Sequence, residues 1–548
     1  LYQRMKTLSD YMLEKEEALN LEFTSMVNRA NTLIGNIGDL NRNIVIANGN
    51  NTSDQPSALL NERDQAIDEL ASIMGITVKE STTQNGAVTI NLTSGESLVL
   101  ENGAFNLFEL NTNADLTFKQ LKLETNFGSQ TKADASIRIV EDDLGGALGG
   151  LFGYRNEILG PAMRDVGQLS VAFADAMNTQ NKLGMDLDGQ LGSNIFDIPS
   201  FRGLAYSDTN GDYVVTAQIT EGKGAELTDA DYKIEVTAVT AGVPSQIEIT
   251  LLNADGTPKK DASGNDIIYS NYAVTAGFNE LPGGIEVDFS GTDPYTVGNE
   301  FLIQPTKDIA SKITLETNRP EDLAFASPVR AGANNTNLGS ANVIDVTVSN
   351  TEVGASAFDG AGELLNSAPA QINFTAADTY DVVDGSGNVL ATVTGTTDLT
   401  NLISQAGISP DPGFDLSLDG VPKAGDSFSI SYNTDGFNDN SNALNLAAIQ
   451  NENTVQVSSE ATNTPRTFQD AYASMVGRIG EDASMAKVTL ASAEAMKVQS
   501  QNWFESVSGV SLDEEAANLI KYQQSYAAAA RILSTAQELF NTILQSAR

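Results

Sequence analysis

The chain has no cysteine and no histidine among its 548 residues. Without these side chains it cannot form a disulfide, ligate a metal through a thiolate or imidazole, or build a Ser-His-Asp or Cys-His catalytic site. The sequence also lacks an apolar run of about 18 residues and a basic-plus-apolar leader, so it predicts neither a membrane span nor a cleavable signal. A long chain without cysteine suits a protein that is exported unfolded and meets no oxidising folding machinery.

Positive charge is scarce as well. The 31 Lys and Arg residues face 72 Asp and Glu residues, so the formal net charge is −41. Between Ala331 and Pro465 the only basic residue is Lys423. Such a surface repels phosphate backbones, and no Lys/Arg cluster with interleaved aromatic residues offsets it. We therefore expect no nucleic-acid partner, and we interpret the charge as a source of solubility.

The most informative segment is 511–548, which contains no glycine and no proline. Ser511 is a preferred helix N-cap, and Glu514 three residues later completes a capping box. Behind this start, apolar and small residues alternate spacings of three and four, which predicts the seam of a coiled coil or bundle along a helix roughly 50 Å long. We predict that this seam is an assembly interface rather than an intramolecular core face. Its residues are Leu519, Tyr522, Tyr526, Ala529, Leu533, Ala536, Phe540 and Ile543.

The same spacing recurs in three other stretches, Leu19–Ile44, Leu148–Ala176 and Phe468–Ala493. Pro161 interrupts the second of these and predicts a kink or break. Between the helical stretches, residues 76–143 contain short alternating runs, and residues 200–440 are rich in Thr, Val, Ser, Gly, Asn and Asp. This composition is typical of antiparallel strands and tight turns.

A weak internal repeat predicts two related β domains. Residues 231–234 resemble 378–382, and residues 298–303 resemble 425–430. Each pair reads as a turn followed by a strand. Because Gly-Asp turns before strands are common, chance similarity remains the alternative interpretation.

Length and pattern together predict an α+β multidomain protein. A discontinuous long-helix rod domain, a coiled coil or bundle, is built from both termini and a central helix, and antiparallel β-rich domains are inserted into it. The predicted parts are a helical rod domain at 1–75, 144–199 and 440–507, a β-rich extension packed on it at 76–143, a variable outer β domain at 200–320, a second β domain at 321–439, and a C-terminal helix at 508–548.

Several segments resemble bacterial flagellar axial proteins. The terminal segment 512–528 is similar to the C-terminal axial helix of that superfamily, and the central run 144–152 is similar to the flagellar hook-associated protein 1 family in particular. Further similar segments are Tyr154-Arg155, 167–169, 172–178, 184–189, 59–65, 326–330, 424–428 and 440–447. The similarity is good in the helical parts and poor in residues 200–320.

The resemblance implies a structural subunit that is exported through the flagellar type III channel and forms a ring between hook and filament. Its implied partners are other copies of itself, the hook protein, the second junction protein, and an export chaperone at the C-terminal helix. It implies no cofactor. The family begins with an Asn-rich helix that pairs with the C-terminal helix; because this chain starts at Leu1-Tyr2, we expect residues 512–546 to lack that partner here.

Other interpretations have less support. Flagellin or the second junction protein would share the terminal helix but not the Gly-Gly run at 144–150, and an acidic secreted adhesin or enzyme would not need the terminal stripe. Residues 186–189 and 208–212 space oxygen ligands as calcium loops do, but neither has the glutamate of an EF-hand, so we predict no metal site. No motif selects a catalytic carboxylate pair, and no phosphate-binding P-loop is present.

Overall fold

The computed structural model describes residues 1–50, 56–127, 136–206, 215–290, 294–456, 465–509 and 511–546. The chain divides into two units, Leu1–Met475 and Val476–Arg548. Helices lie near both ends of the sequence, and antiparallel sheets lie between them. The predicted α+β multidomain class is confirmed.

The long helices coincide with the predicted stretches, although α1 begins before Leu19, and several short helices were not predicted. They are α1 Tyr2–Asn50, α2 Ser57–Ile73, α3 Gly146–Gly153, α4 Gly160–Lys182, α5 Ile309–Lys312, α6 Leu402–Gln405, α7 Ser441–Ala448, α8 Phe468–Ser508 and α9 Leu512–Ser546.

A π-helical segment, Tyr154–Leu159, joins α3 to α4. Pro161 lies two residues after its end, in the first turn of α4. Because proline has no N–H and its ring clashes with the preceding turn, a regular helix cannot continue across it unchanged. The break predicted at Pro161 therefore takes the form of a local change in helical pitch.

The stripe predicted on α1 is a buried face. Phe23, Ala30, Ile37 and Ile44 have no accessible surface. This face packs against α2, α4 and the strand β4 (Phe105–Thr112). The first unit thus supplies its own cover for the apolar seam of α1.

A six-stranded sheet follows α2 and is a meander in which each strand pairs with the next. Besides β4, its strands are β1 Ile76–Glu80, β2 Val88–Leu92, β3 Ser97–Val99, β5 Lys119–Phe127 and β6 Ser136–Arg138. Asn41 of α1 ties the sheet to the helix, since its Nδ2 donates to the Val88 carbonyl at 2.7 Å.

An eight-stranded antiparallel sheet has the order β12-β11-β10-β15-β8-β9-β14-β13. Its core includes Tyr232 and Phe301, and it packs against Val171 and Ala174 of α4. The two-residue strands β7 Phe196–Asp197 and β16 Thr314–Leu315 pair beside it. Its strands are β8 Phe201–Ala205, β9 Val215–Ile219, β10 Asp231–Thr240, β11 Val243–Leu252, β12 Ile268–Ala273, β13 Phe278–Leu281, β14 Ile285–Asp288 and β15 Glu300–Ile303.

The last sheets are a five-stranded one, of order β17-β23-β19-β20-β21, and the pair β18-β22. They share a core that includes Phe358, Phe374, Tyr380 and Phe428. Their strands are β17 Val329–Ala333, β18 Asn342–Val348, β19 Pro369–Ala376, β20 Thr379–Asp384, β21 Val389–Thr394, β22 Phe414–Asp419 and β23 Ser427–Tyr432.

These β domains share one strand order. The series β12-β11-β10-β15-β8 corresponds to β21-β20-β19-β23-β17, and the pair β9-β14 corresponds to β18-β22. Residues 298–303 and 425–430 lead into equivalent strands, β15 and β23, as predicted. The other predicted equivalence is wrong, because Asp231 begins β10, whose counterpart is β19, whereas Asp378 precedes β20. A short turn-plus-strand pattern occurs at every hairpin, so such a match can slip by one strand.

Candidate assembly interface

The predicted cap of α9 is present. The backbone N–H of Glu514 donates to Ser511 Oγ at 3.4 Å, and the N–H of Glu515 donates to the Ser511 carbonyl at 2.9 Å. Asp513, Glu514 and Glu515 place negative charge at the positive end of the helix dipole. The first turn of α9 is therefore stabilised by groups close to it in sequence.

The predicted stripe on α9 is exposed where its side chains are described. Tyr526 is 80% and Leu533 is 68% exposed, and Leu519, Tyr522, Ala529 and Ala536 are exposed as well. Phe540 and Ile543 lie within the bounds of α9, but their side chains fall outside the described residues. Large apolar side chains on a long helix are normally covered by a partner. The described part of the stripe is therefore a solvent-exposed apolar surface, and its role in assembly stays a prediction.

Two further apolar residues of α9, Ile520 and Ile532, are exposed away from the stripe. Helical geometry places Gln524 and Thr535 on the face opposite the stripe. The apolar surface of α9 is therefore wider than a strict coiled-coil seam.

The end of α8 carries an apolar group that the sequence interpretation missed. Trp503, Phe504 and Val507 are all exposed, and Leu512 is exposed just beyond the break that follows α8. Trp503 is the only tryptophan of the chain. The stripe predicted in α8 ends at Ala493, and the sequence signal for this group is the pair of aromatic residues ten and eleven positions further on. We add these side chains to the candidate interface.

Charge distinguishes this region from residues 321–439. Residues 476–548 contain six basic and eight acidic residues, whereas residues 321–439 contain two basic and sixteen acidic ones. Close packing of like-charged surfaces is unfavourable, and the penalty is smallest where the net charge is small. The near-neutral helices α8 and α9 are therefore better suited than the acidic segment 321–439 to contact identical or similar subunits.

One position in a predicted apolar stripe is an arginine, Arg155. Its guanidinium lies 3.9 Å from the ring centre of Phe118, 4.9 Å from that of Phe152 and 5.5 Å from that of Phe23. Its Nε donates to Asn156 Oδ1 at 2.8 Å. Burial lowers the pKa of Arg155 to about 10. Aromatic faces thus let a cation occupy a heptad position in the interior.

A buried ion pair joins the central helix to the eight-stranded sheet. Arg164 Nη2 lies 2.6 Å from Asp231 Oδ2, and both side chains are only 3% exposed. Burial acts to lower the pKa of Arg164, but the charge of Asp231 and its hydrogen bonds outweigh burial and raise that pKa overall. This pair is a structural joint in the first unit.

The described residues contain no group of three or more His, Cys, Asp or Glu residues placed to hold a metal ion. Of the two acidic stretches weighed as calcium loops, residues 208–212 lie outside the described part of the chain. In the other, Asp186 Oδ1 accepts from the Gln190 N–H at 2.8 Å, and Asp188 pairs with Arg319 at 2.8 Å. Those carboxylates are engaged in a turn and an ion pair. Within the described residues, no helix has both the length and the apolarity required to cross a membrane.

Comparison with known proteins gives a consistent result. Residues 1–196 match the family "Flagellar hook-associated protein FlgK helical domain", and residues 503–546 match "Flagellar basal body rod FlgEFG protein C-terminal". Flagellar hook-associated protein 1 of Salmonella typhimurium is 27% identical over 99% of this chain and 74% of its own length. The Escherichia coli protein of the same name is 25% identical with the same coverage.

A solved structure is similar over most of the chain. It is that of the flagellar hook junction protein FlgK from Burkholderia pseudomallei, with a TM-score of 0.72 and 25% identity over 93% of this chain and 88% of that one. The similarity therefore extends through helices and β domains alike.

Proposed function

We propose that the chain is a flagellar hook-associated protein 1 and a structural subunit of the hook–filament junction, a proposal supported by its similarity to proteins of that name. It assembles on the distal end of the hook and links the hook to the filament. It acts outside the cell as part of the flagellum, and its role is mechanical packing without a catalytic step or a cofactor.

The observation that carries the mechanism is the exposed stripe of α9. Side chains such as Tyr526 and Leu533 lie in solvent although their spacing is that of a helix seam. Packing against helices of neighbouring subunits would bury them, and each large side chain fully buried contributes about 1.5–3 kcal/mol. Assembly of the junction is driven by this burial.

We further propose the division of the chain into a discontinuous coiled-coil rod domain, from residues 1–75, 144–199 and 440–507, with 508–548 as its axial helix. Residues 76–143 form an extension of the rod, and residues 200–320 and 321–439 form outward-facing β domains. The charge distribution supports this arrangement. Acidic domains repel one another least when they stand far from the assembly axis, where neighbouring copies are well separated.

Its partners are other copies of the chain, the hook protein and the second junction protein. An export chaperone covers α9 before assembly. An amphipathic helix with an exposed apolar face associates prematurely unless a groove on another protein covers it, which gives the chaperone a physical reason. We propose no nucleic-acid or membrane partner.

The test is complementation of a host strain from which the gene is deleted. We expect the deletion strain to have bare hooks and to shed flagellin into the medium, and the unaltered gene to restore filaments. A variant with Tyr526→Glu and Leu533→Glu should not restore them, because two charges would have to be buried in the seam. The matched control, Gln524→Glu with Thr535→Glu, adds the same charge to the opposite face and should restore filaments.

Normal filaments on motile cells of the deletion strain would contradict the junction role. Restoration by the stripe variant as well as by its control would contradict the α9 mechanism while leaving the junction role in place.

A further inference from the structure

The six-stranded and eight-stranded sheets meet at a narrow contact, here called the neck. It consists of Ala114 and Asp115 from one side and Leu252, Leu302 and Lys307 from the other. Two clefts adjoin the neck, one of about 390 Å³ and one of about 740 Å³. Ala114 and Asp115 line both of them. Apolar packing between the two sheets is therefore limited at this contact.

Lys307 makes the polar contacts of the neck. Its Nζ lies 2.6 Å from Asp115 Oδ2, 2.6 Å from Thr117 Oγ1 and 2.9 Å from Glu16 Oε1. A lysine ammonium has three N–H donors, and these three oxygens account for all of them. The three oxygens belong to α1 and to the loop that follows β4, so one side chain joins the helix and the six-stranded sheet to the eight-stranded sheet.

This cluster is enclosed. The side chains of Lys307, Asp115 and Glu16 are 9%, 8% and 11% exposed. Loss of the lysine charge would leave two carboxylates close together with little water, which is strongly unfavourable. The hydroxyl of Thr117 also donates to Asp115 Oδ1 at 2.7 Å, which fixes the carboxylate facing Lys307.

The eight-stranded sheet has a separate attachment to α4 that does not involve Lys307. A Cβ added to Gly167 would lie 1.8 Å from the Thr306 carbonyl oxygen, so the helix is in close backbone contact there with the segment that follows β15. The Arg164–Asp231 pair and the apolar core add to that attachment. Changes at Lys307 therefore act on the neck without detaching the sheet from α4.

We propose that Lys307 is a positioning residue that holds the six-stranded and eight-stranded sheets in one fixed orientation. This inference rests on the proposed function in one respect: a mechanical linker between hook and filament needs domains that keep their mutual orientation under load. The structural part of the inference is independent of that function.

The experiment measures the distance between the sheets by pulsed electron paramagnetic resonance. Because the chain has no native cysteine, nitroxide labels attach only at introduced sites. Glu109→Cys on β4 and Gln246→Cys on β11 place labels at exposed positions of the two sheets. We expect Lys307→Met to broaden the distance distribution about twofold, because it removes the charged contact at the neck and leaves the two sheets held by apolar packing and by their separate attachments to the helices.

Two controls make the result specific. Lys307→Arg keeps a charged multiple donor and should keep the narrow distribution. Lys233→Met removes a lysine paired with Glu300 at 2.7 Å within the eight-stranded sheet, so it should leave the width unchanged. If Lys307→Met does not fold, the same distance measurement is made on Asp115→Asn. We expect a width between that of the unaltered chain and twice that value.

A wild-type width for folded Lys307→Met, or for Asp115→Asn where the first variant does not fold, would overturn the inference. Equal broadening in Lys233→Met would also overturn it. Failure of the unaltered gene to restore filaments in the deletion strain would overturn the proposed function instead, and it would not change the distance measurement.

Discussion

Two helices of this chain, α1 and α9, have the same spacing of apolar residues and opposite surroundings. The stripe of α1 from Leu19 to Ile44 is mostly buried against the rest of the first unit. The stripe of α9 from Leu519 to Ala536 is exposed. The spacing determines which face of a helix is apolar, and it does not determine whether the cover comes from the same chain or from another one.

Charge provides a second comparison, between the C-terminal helices and an acidic segment of the first unit. The segment 321–439 has a net charge of −14, from two basic and sixteen acidic residues, and residues 476–548 have a net charge of −2, from six basic and eight acidic residues. A domain that folds on itself tolerates a strongly charged surface, whereas a surface that meets copies of itself does not. The exposed C-terminal helices are thus easier for similar subunits to approach than the acidic segment 321–439.

The largest expected effect contrasts an internal seam residue with an exposed one. Phe23 on α1 is fully buried and stacks on Phe152 with 4.2 Å between ring centres. We expect Phe23→Ala to lower the free energy of unfolding by about 3–5 kcal/mol. Tyr526→Ala on α9 should leave the unfolding of the isolated chain unchanged, because its ring has no cover to lose. Calorimetry measures the free energy of unfolding of both variants. Equal losses in the two variants would contradict the difference between the buried stripe of α1 and the exposed stripe of α9.

A buried polar joint of the first unit gives an effect of similar size. Asp231→Asn removes the counter-charge of Arg164, and we expect the free energy of unfolding to fall by about 3–5 kcal/mol, because an unpaired guanidinium stays buried. The double variant Arg164→Met with Asp231→Leu should lose much less, since it buries no charge. Denaturant titration compares the two, and a larger loss in the double variant would show that shape rather than charge matters at this joint.

We expect a smaller, pH-dependent effect on stability from the Asp115–Lys307 contact at the neck. Burial acts to raise the pKa of Asp115, but Lys307 and Thr117 outweigh it and hold that pKa below its ordinary value. The stabilisation from Asp115 is therefore complete above the unfolded pKa of about 3.9 and is lost as the pH falls through the lower folded pKa. In Asp115→Asn the stability of the first unit should fall less steeply at acid pH. An unchanged acid slope in the thermal midpoint would contradict this account.

The smallest effect concerns the start of α9. Ser511→Ala should destabilise the first turn by about 1 kcal/mol, because the Glu514 N–H loses its acceptor. Hydrogen exchange of the amides at 513–516 should quicken while the thermal midpoint of the first unit stays the same. Ser511→Asp, which keeps an acceptor, is the control. A shift of that midpoint in Ser511→Ala would mean that the two units do not unfold separately.

Local features were predictable and distant pairings were not. Gly509 predicts the C-terminal end of α8, and Ser511 predicts the N-terminal start of α9, because helix breaking and capping act within a few residues. The order of strands in the two β domains depends on contacts between residues far apart in sequence. The predicted repeat therefore aligns Asp231 with the strand next to its true counterpart. Asp115 and Lys307 could not be selected from sequence, because among 72 acidic residues no spacing marks those that fold together. Trp503 and Phe504 could have been predicted as interface residues by extending the spacing of three and four residues beyond Ala493.

The most direct test of the account is a photocrosslink from Tyr526 in assembled flagella. A photoreactive phenylalanine analogue at Tyr526, with Gln524 as the site on the opposite face, would be irradiated in flagella isolated from the host. We predict a product that joins two flagellar subunits from Tyr526 and little product from Gln524. Products confined to a single chain at Tyr526 would show that the stripe of α9 is an internal seam, and would contradict the central claim.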